Sequence, residues 1–206
     1  MEETSGIKHQ VHLKLIIIGD SAVGKTSIVN KFVKNIFEDS TFATITPCYL
    51  RKIITINDIL YNINIWDIPG QDRNPILTHP FVKDAKGVIY TYEVNKTISC
   101  ENLLNWEESL KSYQDIEEIP KIILANKSDL LENKNDYDNN LKSLKEYSEK
   151  LRCLNYYMTS AKTGNNIDDA FNFLINETIK NVKIEDIQIF NKIKKSSAGQ
   201  TKVHCC

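Results

Sequence analysis

No stretch of this 206-residue chain holds about 18 consecutive apolar side chains, so none of it reads as a membrane-spanning helix. Met1 to Gln10 carries Glu2 and Glu3 and has no apolar centre, which is not the pattern of a secretory signal. The net charge is only −1, so no global basic field points to nucleic acid as a partner. Cysteine is sparse. Cys48, Cys100 and Cys153 are scattered, with no CxxC or Cys/His spacing, and are expected as reduced thiols. Internal repeats are also missing. What is there is ordinary for a soluble α/β domain: 41% hydrophobic and 26% charged residues, in a length that suits one core.

Leu13 to Ile18 is a short Ile-rich run ending at Gly19, the pattern of a buried strand. Gly24 to Val33 reads as a helix. Tyr49 to Asn57 and Leu60 to Trp66 both alternate, and the Asn57-Asp58 turn between them predicts a hairpin. Gly87 to Tyr92, Lys121 to Ala125 and Leu154 to Met158 are further strands. Helical spacing recurs at Leu103, Leu104, Trp106 and Leu110, at Leu141, Leu144, Tyr147 and Leu151, and at Ile167, Ala170, Phe171 and Leu174. Asn133 to Asn140 reads as a polar loop. Strands alternating with helices predict a mostly parallel sheet covered on both faces, with the hairpin as one antiparallel edge. The pattern fades after about Val182.

Gly19-Asp20-Ser21-Ala22-Val23-Gly24-Lys25-Thr26 fits G-x-x-x-x-G-K-[ST] between a strand and a helix, the context that motif needs. Phosphates are dense negative charge. A nest of backbone N–H groups and a helix N-terminus answers it, Gly24 lets the backbone come close, Lys25 reaches the outer phosphates, and the Thr26 hydroxyl suits Mg2+. Asn126-Lys127-Ser128-Asp129 follows a strand. A carboxylate there can accept from the N1–H and N2–H2 donors of guanine, whereas adenine would leave it buried and unpaired. Ser160-Ala161-Lys162 follows the last strand and offers a backbone N–H to the guanine O6. Asp67, at the end of the second hairpin strand, suits Mg2+ through water; the Gly70 N–H can meet a γ-phosphate, and Gln71 can orient the attacking water. Thr44 is a second candidate hydroxyl for Mg2+. Polar loops after strands are common, so each piece alone says little; their order after a phosphate loop says much.

With these motifs in order over residues 11 to 182, the chain resembles a small GTPase of the Ras superfamily, and within it the Rab family. GDSAVGKT, WDIPGQDR, ANKSD and TSAKTGNNIDDAF are similar to the family's motifs, and Phe37 precedes Thr44 by the family's seven residues. The resemblance implies a three-layer P-loop NTPase fold with a mostly parallel six-stranded sheet. It implies a GTP or GDP pocket formed by Ser21, Ala22, Val23, Gly24, Lys25, Thr26, Ser27, Phe37, Thr44, Gly70, Asn126, Lys127, Asp129, Ser160, Ala161 and Lys162. Mg2+ would lie on Thr26, Thr44 and Asp67, Gln71 would be the catalytic residue, and Tyr49, Trp66 and Phe81 would form an aromatic effector face. Implied partners are an exchange factor, a GTPase-activating protein, effectors and a prenyl-binding GDP-dissociation inhibitor, on the cytoplasmic face of an endomembrane. Departures concentrate in the switches. Ile45-Thr46-Pro47-Cys48-Tyr49 replaces the usual I-G-x-D-F, Pro69 replaces an Ala, Thr41 stands where an aromatic is usual with Phe42 beside it, and Asn74-Pro75 follows QDR.

The division expected is an extension over 1–10, a GTPase domain over 11–182 and a tail over 183–206. The tail has a net charge of +3 and ends in Cys205-Cys206. That end resembles the doubly geranylgeranylated terminus of Rabs, and modest basic charge beside it suits an anionic leaflet. The spacing of Ile184, Ile187, Phe190 and Ile193 fits either a helix continuation or a docking segment. A vesicle-traffic switch that hydrolyses GTP slowly is the main reading. A binding module that barely hydrolyses is the rival, favoured by Pro69 and Thr46-Pro47 and opposed by Gln71. An ATPase or kinase is disfavoured by Asn126 to Asp129.

Overall fold

The apolar run ending at Ile18 is a buried strand, but the strand begins earlier than its apolar part. In the computed structural model, which describes residues 8–39, 43–70, 80–111, 116–182 and 188–190, β1 spans Lys8–Ile18. Its first residues are polar yet pair in parallel with β3 (Ile59–Asp67) from His9 onward. β2 (Cys48–Ile56) pairs antiparallel with β3 through a turn at Asn57 and Asp58, whose φ values of 49° and 62° are those of a two-residue hairpin loop. β4 (Gly87–Glu93), β5 (Lys121–Asn126) and β6 (Asn155–Met158) continue the sheet in parallel, in the order β2-β3-β1-β4-β5-β6.

Helices cover both faces, and the alternation of β1 decides which residue meets which. Leu13, Leu15 and Ile17 point to α1 (Lys25–Lys34) and α4 (Ile167–Lys180), where Phe32 and Phe171 stack with ring centroids 4.0 Å apart. Ile16 and Ile18 point to the other face, toward α2 (Thr97–Lys111) and α3 (Lys134–Lys150). A buried ion pair crosses this second layer, Lys121 Nζ to Glu107 Oε1 at 3.1 Å. No helix among the described residues is long and apolar enough to cross a membrane.

Two elements depart from the sequence reading. Asn133–Asn140 is no loop: Asn133 caps α3, its side chain accepting from the Asp136 N–H at 3.0 Å, and the helix runs from Lys134. The first two turns face solvent, so they carry no apolar periodicity to betray them. The other is β7 (Gln188–Phe190), in the segment expected as tail. It pairs antiparallel with Lys8–Gln10, along the stretch of β1 that β4 does not reach. Ile184, Ile187 and Ile193, on which the two readings of that segment turned, lie outside the described residues.

Candidate functional site

Four loops at the carboxyl ends of β1, β3, β5 and β6, with residues of the segment between α1 and β2, line a cavity of about 480 Å3. The first is the phosphate-loop motif. Gly19 has φ +142°, and a Cβ on it would stand 1.9 Å from the Thr91 carbonyl oxygen of β4; Gly24 has φ +96°, and a Cβ there would meet Asn126 Nδ2 at 2.4 Å. Only glycine fits either place. Lys25 Nζ donates to the Gly19 and Asp20 carbonyls at 2.8 Å each. Burial pushes its ammonium down to about 8, although Asp67 and Asp20 favour the charge.

Thr26, Thr44 and Asp67 come from three separate segments and meet. Thr26 Oγ1 donates to Asp67 Oδ2 at 2.5 Å, the two threonine hydroxyls lie 2.8 Å apart, and Thr44 Oγ1 donates to the same carboxylate oxygen at 3.3 Å. Asp67 Oδ1 is buried with no hydrogen-bond partner among the described residues. Burial raises the Asp67 carboxyl above its ordinary range; the bonds from Thr26 and Thr44 and the charge of Lys25 oppose it. Two hydroxyls and a carboxylate with an unspent oxygen form a hard-oxygen donor set, which suits Mg2+. The unusual residues on either side that are described, Thr46-Pro47 and Pro69, leave it assembled. Thr46-Pro47 leads directly into β2 with Thr44 still in place, and Pro69 follows the last ladder bond, Ile68 N–H to the Ile17 carbonyl at 3.3 Å, so its missing N–H breaks no pairing. Gly70 then lies against the phosphate loop, where a Cβ would stand 2.3 Å from the Ser21 nitrogen.

The opposite end is tied together by Asn126, which is 1% exposed. Its Nδ2 donates to the Val23 carbonyl at 2.9 Å, and its Oδ1 accepts from the Ala161 N–H at 3.2 Å and from Thr159 Oγ1 at 3.4 Å. One side chain thus joins its own loop to the phosphate loop, 103 residues before it, and to the loop after β6, 35 residues beyond it. Asp129 is oriented by Ser160, whose hydroxyl donates to Oδ1 at 2.5 Å while accepting from the Thr163 N–H at 3.1 Å. Lys127 sits at φ +65° and pairs with Glu93 Oε2 at 2.8 Å, which also takes Lys96 at 2.9 Å. Burial works to raise the Glu93 carboxyl, but the bonds from both lysines outweigh it and hold it below the usual range.

Of the expected pocket residues, Ser21, Ala22, Gly24, Lys25, Thr26, Ser27, Phe37, Thr44, Gly70, Asn126, Lys127, Asp129, Ala161 and Lys162 line the cavity. Val23 and Ser160 stand behind its wall, buried and holding others in place. The sequence reading missed Glu38, Asp39, Ala43 and Leu130, which also line it. Glu38, Asp39 and Ala43 follow from the path of the chain between Phe37 and Thr44, which no motif marks. Gln71, Thr41, Phe42, Asn74-Pro75, Cys205 and Cys206 lie outside the described residues. Of the three aromatics expected as an effector face, Tyr49 and Trp66 have ring centroids 4.9 Å apart, and Trp66 and Phe81 5.5 Å.

Comparison with known proteins agrees with this geometry. A sequence model described as the Ras family matches residues 14–180. Ras-related protein RABG3c of Arabidopsis thaliana is 35% identical, with 97% of this chain and 98% of that protein covered. Ras-related protein RABG3f of the same plant is 33% identical over 94% of this chain and 95% of its own. Ras-related protein Rab7 of Cenchrus ciliaris is also 33% identical, over 94% and 96%. Such kinship does not favour a module that only binds nucleotide. Similarity that runs from β1 through α4, across every loop of the cavity, places this chain in the Ras family among the Rab small GTPases, guanine-nucleotide-binding GTP hydrolases that act in vesicle traffic.

Proposed function

We propose that the cavity holds GTP or GDP with Mg2+, and that the bound nucleotide decides whether the segments around Thr44 and Gly70 close on it. The convergence of Thr26, Thr44 and Asp67 carries this reading, because a buried carboxylate oxygen without a partner is costly unless a cation claims it. Thr26, Thr44 and Asp67 would hold the metal. Mg2+ bound there supplies neutralisation of the phosphate charge that builds during phosphoryl transfer. Lys25 and the loop amides would hold the phosphates, and Asp129 and Lys127 the base. Stripping the metal with EDTA from the GDP-loaded protein should speed GDP release by at least about tenfold, given the phosphate charge left unscreened. An unchanged release rate would refute the metal assignment.

Lys25 supplies a pH test. Burial holds its ammonium down to about 8, and phosphates beside Nζ restore the charge. The pKa therefore rises on binding, and near pH 8.5 the empty protein should take up as much as about three-quarters of a proton as nucleotide enters. Calorimetry in buffers of different ionisation enthalpy reads that uptake, which should fade well below pH 7. Equal heats in all buffers would mean that Lys25 is already charged in the empty protein.

No arginine lines the cavity among the described residues, so we expect slow intrinsic hydrolysis, on the order of 10⁻⁴ to 10⁻³ per second, with Gln71 positioning water and a GTPase-activating protein completing the site. Association with an endomembrane goes with the family. We further propose the cytoplasmic face as the place, with cycling through the cytosol. An exchange factor would load GTP, and effectors would read Tyr49, Trp66 and Phe81. A prenyl-binding GDP-dissociation inhibitor would lift the protein off the membrane. The domain division follows the same reading: 1–10 as extension, 11–182 as GTPase domain and 183–206 as tail, with geranylgeranyl groups on Cys205 and Cys206. Each buried CH2 contributes about 0.8 kcal/mol, so two long chains hold a bilayer where one short chain barely does. Mass spectrometry of the terminal peptide from the native source should show two prenyl additions. An unmodified peptide, with unchanged membrane partition after Cys205→Ser and Cys206→Ser together, would leave no lipid anchor at these thiols.

A further inference from the structure

Asp20 is the one acidic residue of the phosphate loop, and the roles above use its side chain only through its attraction to the charge of Lys25. Its backbone is in demand on two sides. The carbonyl accepts from Lys25 Nζ at 2.8 Å, and Gly70 packs so close that a Cβ there would lie 2.6 Å from the same oxygen. The carboxylate turns the other way, onto α2. Oδ2 accepts from Asn102 Nδ2 at 2.6 Å and Oδ1 from Trp106 Nε1 at 3.3 Å. Asn102 and Trp106 are four residues apart, on one face of the helix, and Trp106 is 3% exposed. An amide and an indole N–H are both neutral donors: they bind the carboxylate and set its direction while adding no positive charge of their own.

Direction matters because the loop exists to receive anions. A carboxylate released at this position could turn to Lys25, whose charge it already favours through space, and compete with phosphate for it. We propose that Asn102 and Trp106 are positioning residues for the phosphate loop. By latching Asp20 to α2 they hold its charge away from the phosphates and fix the carbonyls that seat Lys25, and so they set how slowly nucleotide leaves. The proposal rests on the cavity being the nucleotide pocket. It makes α2 a structural neighbour that tunes the pocket without touching the ligand.

The test is release of a fluorescent GDP analogue from the full-length protein, each variant expressed as a ratio to the unmodified chain at the same pH. Asn102→Asp faces one carboxylate with another and should speed release about tenfold at pH 8, with the excess shrinking toward pH 5.5 as the pair comes to share a proton. Asp20→Asn combined with Asn102→Asp restores one donor against one charged acceptor, with the roles exchanged. It should return release to within about threefold of normal and remove the pH dependence. Trp106→Phe keeps the ring and loses only the N–H, and should speed release a few-fold. If Asn102→Asp does not fold, Asn102→Leu is compared in chains with Asp20 and with Asp20→Ala; the latch requires its effect to vanish in the second. Release unchanged by Asn102→Asp, a swapped pair as fast as the single variant, or an Asn102→Leu effect that persists without Asp20 overturns the latch. Failure of the unmodified protein to bind the analogue overturns the pocket reading instead.

Discussion

Replacing Asp129 by Asn is expected to lower GDP affinity by a factor on the order of 100 and to turn the preference toward xanthine nucleotides. In the folded chain the carboxylate is held for a purpose: Ser160 Oγ donates to Oδ1, and Ser160 is itself fixed by the Thr163 N–H and 1% exposed. A carboxylate so oriented at the cavity wall can accept two N–H bonds from one base edge. Converting one acceptor into an NH2 sets donor against donor, and losing a charge-assisted pair costs about 3 kcal/mol. Xanthine carries an acceptor where guanine carries its amino group, so the same change that harms one base suits the other. Competition among GDP, XDP and ADP measures it. Equal affinity of the unmodified protein for ADP would remove the guanine assignment altogether.

Gly70→Ala should separate the two nucleotide states. A Cβ at this position would lie 2.3 Å from the Ser21 nitrogen, 2.4 Å from the Asp20 carbonyl carbon and 2.6 Å from its oxygen. All three are backbone atoms of a loop whose first glycine is pressed on β4, so nothing near can rotate aside. The segment after Asp67 must lift instead. GDP asks little of that segment, and its affinity should stay within a few-fold. GTP asks for closure, so the preference for GTP over GDP should fall by an order of magnitude or more, and single-turnover hydrolysis by about 100-fold. A variant that hydrolyses GTP at the normal rate would show that the close approach of Gly70 is no part of the catalytic state.

Much of this protein was legible before folding, because the chemistry demands residue types at fixed spacings. A loop that cradles phosphate needs glycine where positive φ and close backbone approach coincide, and a lysine and hydroxyl at its end; Gly19, Gly24, Lys25 and Thr26 show them in one line, with Ala22 also at φ 63°. The strands around Ile16, Ile89 and Ile123 declared themselves because burial on both faces leaves few polar residues to dilute the run. The hairpin at Asn57-Asp58 did so because few residues tolerate its two positive φ angles.

What the tertiary structure alone decided are relations between distant segments and elements whose cue is not apolar. The start of α3 hid because its first turns are solvated and its signal is a single Asn133 cap. β7 and the first residues of β1 are strands through backbone bonding to each other and to β3, which leaves no mark on side-chain pattern. Asn126 enters the sequence reading only as one residue of the pocket that the resemblance implies; in the fold its amide bridges loops more than thirty residues apart. Asp20 reads as one more polar residue of a motif, and only the packing of α2 brings Asn102 and Trp106 to it. The physical reason is the same in each case. Local propensity and periodicity act over one or two turns of chain, whereas the partner of a buried polar group is chosen by which surfaces the sheet order brings together.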